Sequence, residues 1–406
     1  MSEFTIDRLG AKGDGIAETP QGPVYLPFTL PGERVATTAL GGRNEPDILA
    51  PSPDRREPPC PHFGTCGGCD LQHASDDLYR RFKRDLVVTA LARAGVEAGV
   101  APLTSCPPAS RRRVTLSAVR AGGRVLIGYN AEKSNRIVAI ETCPIALPAI
   151  QEALPALRRL ASILIDRKRP LRLLVTATAS GLDVAATDTA RLNEVIRRDA
   201  VALSLDSNFV RLSASGEVLF QTRPPLVDFG GITVEPPPGA FLQAVAQSEA
   251  AMATLVTQHL ADAKRSLDLF SGCGTFSLRL VQTSAVHAVE AEEAPLAAQT
   301  AAWRSASGLK PLTCERRDLF RRPVQAREMK GFDAVVFDPP RAGAEAVSRE
   351  LAASSVRKIA AVSCNPVTLG RDLAILLAGG YRIVSVTPID QFLWSHHVEA
   401  VALLER

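Results

Sequence analysis

From Val234 onward, short apolar runs alternate with amphipathic stretches of helical length. "RSLDLF", "AVHAVE", "FDAVVFD" and "KIAAVSC" are each followed by such a stretch, and "RIVSVTPI" and "VEAVALL" close the series. Strand and helix patterns in this rhythm predict a doubly wound, Rossmann-like α/β domain over residues 236–406. Upstream the rhythm changes. Residues 111–235 hold strand-like runs such as "RVTLSAVRA", "RVLIGYN" and "LRLLVTATA" with one or two helices between them, which predicts an α+β domain with a mostly antiparallel sheet. With the preceding segment this domain spans 60–235. Residues 71–94 read as a helix carrying several Arg and Lys, and residues 44–59 as a Pro-rich linker or extended crossing segment. The first stretch, "FTIDRL", "GAKGDGIA", "GPVYLP" and "ERVATTAL" broken by Gly and Pro, predicts a small β-barrel over 1–50, with a β-rich extension packed on the body as the alternative.

Composition narrows the class. The 406 residues are 46% hydrophobic and 22% charged, an ordinary balance for a globular chain of two or three domains. The formal charge of +4 does not by itself argue for nucleic acid. No run of about 18 apolar residues occurs, so no membrane span is expected. The N-terminal "MSEFTIDRLGAKGDG" has no apolar signal core, which points to the cytoplasm. In that compartment the eight cysteines are expected to be ligands, a nucleophile or buried thiols rather than disulfides.

Three features carry chemistry. Cys60, Cys66 and Cys69 form C-x5-C-x2-C, and Cys143 follows in "ETCPIA". Four thiolates suit an iron–sulfur cluster or a structural zinc, and the spacing leaves both open. His62 and His73 are possible further ligands but read rather as a surface and a helix-start histidine. Next, "LDLFSGCGTF" is a strand, a Gly-rich turn and a helix start. Gly272 and Gly274 allow the backbone to approach a ligand, and Glu290, ending the next strand, can accept ribose hydroxyls. The loop lacks the third glycine of a dinucleotide site, which favours S-adenosylmethionine over NAD. Asp318 reads as an adenine contact or a helix cap, and Asp338 opens a stiff Asp-Pro-Pro segment at a strand end. Finally, Cys364 in "SCNP" and Glu399 in "HHVEAV" put a thiol and a carboxylate in the same C-terminal third. Cys106, Cys273 and Cys314 have no such context.

These residues resemble the RNA uracil-5-methyltransferases, which make 5-methyluridine in ribosomal or transfer RNA. The carrying motifs are "CPHFGTCGGCDLQH", "ETCPI", "DLFSGCGTFSL", "FDPPRAG", "SCNPVTLGRDL" and "HVEAVALL", and the likeness spans essentially the whole chain. "LGAKGDGIA" is similar to the TRAM barrel that precedes the ribosomal members. The resemblance implies S-adenosylmethionine as cofactor, held with the uracil by Gln243, Phe270, Gly272, Gly274, Thr275, Glu290, Asp318 and Asp338. Thr275 stands where members often carry Asn. It also implies a [4Fe–4S] cluster on Cys60, Cys66, Cys69 and Cys143, with Cys364 as nucleophile and Glu399 as base.

The chemistry agrees with that assignment. C5 of uracil is a poor nucleophile until a thiolate adds at C6, and the adduct must then lose the C5 proton to a base. His396 and His397 are alternatives to Glu399 as that base. The expected substrate is ribosomal RNA, with transfer RNA as the alternative and a monomer as the working form. A cytosine-5 enzyme is disfavoured because "FDPPRAG" lacks a cysteine, and an inactive iron–sulfur RNA-binding protein because Cys364 and Glu399 are both present. Phosphate contacts are expected from Arg80, Arg81, Lys83 and Arg84, from Arg111, Arg112 and Arg113, from Arg167, Lys168 and Arg169, and from Arg316, Arg317, Arg321 and Arg322. The cysteine cluster, far in sequence from Cys364, is expected to be structural.

Overall fold

The computed structural model describes residues 1–38, 46–166 and 168–406. The N-terminal module forms two three-stranded sheets. Ser2–Thr5, Arg34–Thr37 and Asp47–Ala50 make one, and Arg8–Leu9, Gly15–Ala17 and Val24–Leu26 the other. Both close over one small core of Ile6, Ala17, Leu26 and Val35. Among the described residues the strands pair within each sheet, where the sequence predicts one barrel; part of the last predicted strand, Ala39 and Leu40, lies outside the described residues, as does Arg167.

Helix α1 spans Asp76–Arg93. It starts later than the apolar pattern predicts, because Ser75 caps it by accepting from the Leu78 amide at 3.2 Å. Residues 71–74 before it are spent on turns and on a bond from the Leu71 amide to the Trp394 carbonyl at 2.9 Å. Although α1 follows the first cysteines in sequence, its Val87 and Leu91 pack into a core with residues of the C-terminal sheet. Lys83 is fully buried there, with Nζ 2.6 Å from Asp390 Oδ1. Tyr79 Oη donates to the other Asp390 oxygen at 2.6 Å. Lys83→Ala leaves that carboxylate buried and unpaired, so it should cost about 3–5 kcal/mol, measured as a lower midpoint in urea unfolding.

The central sheet is seven-stranded and antiparallel except where Gly181–Thr187 meets Phe209–Ala214. Helices α2 (Leu154–Leu164) and α3 (Glu194–Asp206) cover its apolar face. Helices α4 (Ala246–His259), α5 (Glu293–Ser305), α6 (Glu345–Ala353) and α7 (Pro366–Ala378) belong to the C-terminal domain. The strands of its sheet, labelled here in chain order, are β1 (Arg265–Leu269), β2 (Ala285–Glu290), β3 (Leu312–Arg316), β4 (Ala334–Phe337), β5 (Lys358–Ser363), β6 (Arg382–Ile389) and β7 (Glu399–Glu405). Their order is 3-2-1-4-5-7-6, with β1 to β5 parallel and β7 antiparallel to both neighbours. Along β4, Val335 and Phe337 enter one core while Ala334 and Val336 enter the other, as a strand buried on both faces requires. The order reverses between β1 and β4, and there the strand ends open a crevice for ligands. Among the described residues no helix is long and apolar enough to cross a membrane.

Candidate active site

Residues at the C-terminal ends of β4, β5 and β6 meet the start of β7. Ser363 of β5 pairs with Ala400 of β7, so Cys364, one residue further, stands beside Glu399. The next residue, Asn365, caps α7 by accepting from the Val367 amide at 3.1 Å, and Pro366 occupies the first helical turn. Ser-Cys-Asn-Pro is thus a strand end turning directly into a helix, which leaves the thiol at the crevice. Burial pushes that thiol up to about 11, and the nearby carboxyls of Glu399 and Asp338 add to the effect, while Arg341 opposes it.

The two carboxyl groups are joined through two amides. Gln243 Nε2 donates to Asp338 Oδ2 at 2.8 Å. Gln391 Nε2 donates to Gln243 Oε1 at 2.7 Å and to Glu399 Oε2 at 2.6 Å. Gln391 Oε1 accepts from the Ala244 amide at 2.9 Å. Burial raises Asp338 and Glu399 well above the usual carboxylate range, and the charge of Asp338 raises Glu399 further. Gln243, Asp338, Cys364 and Glu399 therefore come together, as the sequence expects. Gln391 was not legible: "DQF" in a loop carries no motif of its own, and its only signal is a polar pair, Asp390 and Gln391, after an apolar strand.

The glycine loop follows β1. Gly272 has φ +53° and nothing within 4 Å of where a Cβ would stand, so its open side can receive a ligand. At Gly274, φ +97°, a Cβ would meet Leu278 Cγ at 2.8 Å, so only glycine lets the helix pack this closely. Glu290 Oε2 accepts from the Gly272 amide at 3.1 Å, tying the end of β2 to the loop. Phe270 takes a left-handed φ of +61° and its ring lies 5.5 Å from that of Phe320. Asp318 Oδ1 accepts from the amides of Phe320 and Arg321, so it orders its own loop beside that aromatic pair. Thr275 is half-buried, and its carbonyl accepts from Arg279. The shape suits a nucleoside-bearing cofactor.

A groove of about 570 Å³ leads to Cys364. Its walls include Arg8 and Leu9 of the N-terminal module, Phe82 and Arg93 of α1, and Arg341 and His397. His397 lies 2.8 Å from Arg341, and burial lowers it to about 4, so its ring is neutral. His396 Nδ1 sits 2.6 Å from Asp70 Oδ2 and is thereby committed to the cysteine segment.

Cys60, Cys66, Cys69 and Cys143 line a second cavity, of about 240 Å³, with Phe63, Tyr129 and Ile140. Burial raises the Cys66 and Cys143 thiols and pushes Cys69 up to about 12. Among the described residues no group of three or more His, Cys, Asp or Glu is drawn tightly enough together to hold a metal ion as it stands. His62 also lines the cavity and its Nε2 accepts from the Glu141 amide at 3.2 Å. His73 is buried against Phe28 and Phe63 rather than starting the helix. The Gly67 amide donates to the Asn130 carbonyl, while the Asp70 amide donates to the Trp394 carbonyl at 2.7 Å. The cysteine segment therefore bridges the central sheet and the loop before Glu399, a contact that sequence distance hides.

Three of the basic residues expected at phosphates are internal. Lys83 pairs with Asp390, Arg112 with Glu249 at 2.6 Å, and Arg317 with Glu328 at 2.9 Å. A charge run reads alike whether a member faces water or a buried carboxylate. Arg80, Arg81, Lys168, Arg169, Arg316, Arg321 and Arg322 are exposed.

The tRNA (uracil-5-)-methyltransferase family model matches residues 232–406. An uncharacterized RNA methyltransferase of Rhizobium meliloti is 52% identical over 99% of both chains. A 23S rRNA (uracil(1939)-C(5))-methyltransferase of Chromohalobacter salexigens is 32% identical over 99% of this chain and 89% of its own. The crystal structure of the Pyrococcus abyssi tRNA (uracil-54, C5)-methyltransferase in complex with S-adenosyl-L-homocysteine shares the fold, with TM-score 0.78 and 24% identity over 99% of each chain. By these full-length relatives and the family model, the chain belongs to the S-adenosylmethionine-dependent RNA uracil-5-methyltransferase family.

Proposed function

We propose that this protein methylates C5 of a uridine in ribosomal RNA through a covalent Cys364 adduct. The observation that carries the reading is the placement of Cys364 beside Glu399 at one sheet edge, with Asp338 joined to Glu399 through Gln243 and Gln391. The ribosomal substrate is supported by the likeness to the Chromohalobacter 23S rRNA enzyme.

The Cys364 thiol gives up its proton to solvent, its Sγ adds to C6 of the uracil, and the π electrons move toward C5. Gln243 and Asp338 hold the polar edge of the ring. Bound S-adenosylmethionine supplies an electrophilic methyl group. Phe270, Gly272, Gly274, Thr275, Glu290 and Asp318 would hold it, and the open side of Gly272 fits that role. Glu399 then takes the C5 proton, the C5–C6 double bond re-forms and the thiolate leaves. The exposed arginines and the groove beside the N-terminal module would carry RNA phosphates and the unstacked nucleotide. RNA from a strain lacking this protein, compared with its parent by mass mapping of 5-methyluridine, tests the reading. One missing modification in 23S rRNA supports it, a loss in transfer RNA moves the substrate, and no loss overturns it.

The reading includes a [4Fe–4S] cluster on Cys60, Cys66, Cys69 and Cys143. Four half-buried thiols lining one cavity suit soft metal chemistry, since binding would replace the protons that burial favours on Cys66, Cys69 and Cys143. Anaerobic purification should give a brown protein with stoichiometric iron and sulfide. Stoichiometric zinc without visible absorption would replace the cluster by a structural zinc.

A further inference from the structure

We propose that Gln391 is a positioning residue that fixes which oxygen of Glu399 receives the uracil C5 proton and locks that base to the ring-holding pair Gln243 and Asp338. The inference rests on the reading of Glu399 as the base.

The argument starts from one backbone donor. The Ala244 N–H can only donate, so the atom of Gln391 facing it at 2.9 Å must be the carbonyl oxygen. The amide therefore cannot be flipped, and Nε2 points the other way. Both its hydrogens are then used, at 2.7 Å on Gln243 Oε1 and 2.6 Å on Glu399 Oε2. Because Gln243 Oε1 accepts, Gln243 Nε2 is the end that donates to Asp338 at 2.8 Å. A single backbone amide thus sets the polarity of the whole chain from Ala244 through Gln391 and Gln243 to Asp338.

For Glu399 the result is an asymmetric carboxyl. Oε2 is held by Gln391, and no hydrogen bond from the described residues reaches Oε1. Oε1 is then the oxygen that accepts the proton. When the C5–H bond breaks, the proton goes to Oε1, the electron pair forms the C5–C6 double bond, and the C6–S bond breaks to release the Cys364 thiolate. Gln391 also favours the charged form, since its N–H donates to a carboxylate better than to an acid. Around Glu399, Asp338 raises its proton affinity while Arg341 and Gln391 lower it, and the Cys364 thiol sits beside it. Glu249, on α4, raises Asp338 in turn.

Gln391→Met keeps the length of the side chain and removes both donors. With RNA and S-adenosylmethionine it should still form the methylated covalent complex, but release should be about tenfold slower or more at neutral pH. Release requires the carboxylate form, so it rises with pH, and losing the donor raises the pKa. The acid limb of the release profile should therefore move up by about one pH unit, with activity recovering at high pH. Gln391→Glu keeps the acceptor for Ala244 but places a third carboxyl beside Asp338 and Glu399, so its acid limb should move up further. It serves where Gln391→Met folds poorly, as judged by thermal unfolding. Release rates and acid limbs like wild type in the folded variants overturn the proposal. If Glu399→Gln fails to trap an adduct, the base reading itself falls, which is a separate outcome.

Discussion

Cys364→Ala is expected to bind S-adenosylmethionine as the wild type does and to transfer no methyl group to RNA. Without sulfur addition at C6, C5 keeps the electron-poor character of the free base and cannot attack a methyl group. None of the residues around the glycine loop is Cys364, and Cys364 instead faces the groove walled by α1 and Arg341. Cofactor affinity, read by calorimetry, and turnover, read by labelled methyl transfer, should therefore separate. The loss should be about a thousandfold or more, as for removal of other nucleophiles. Activity within about tenfold of wild type would show that sulfur addition is not the activating step.

Glu399→Gln should behave in the opposite way, completing the early steps and failing at the last. The substitution keeps shape and still offers an oxygen to Gln391, so the chain of amides survives. What it removes is the acceptor for the C5 proton. Thiol addition and methylation should proceed, and the methylated RNA should stay bonded to Cys364 in a complex that survives denaturing gel electrophoresis. Turnover should fall by about a hundredfold or more. Free turnover with no trapped complex would move the base to another group. His397, neutral and in the same groove, would then come first, because His396 is held by Asp70.

Much of this was legible in sequence because period and spacing are local properties. The βα alternation beyond Val234 corresponds to the parallel strands β1 to β5, and polar residues at strand ends, Asp338 and Cys364, fall at the crevice where such sheets bind ligands. The misses are long-range. Gln391 acquires its meaning from Ala244 and Gln243, roughly 150 positions away, and no pattern in "DQF" reports that. Lys83 sits in a run of basic residues on a helix that looks amphipathic and solvated, yet its turn of α1 faces Asp390. The protonation state of Cys364 was equally hidden, since it follows from burial and from two carboxyls that the fold brings near.

Asp70 follows Cys69 immediately, and its carboxylate holds both the backbone amide and the ring of His396, three residues before Glu399. A displacement at the cysteine-lined cavity therefore has a short mechanical path to the groove. The walls of the groove are thus tied, through a single carboxylate, to the backbone beside the cysteine-lined cavity.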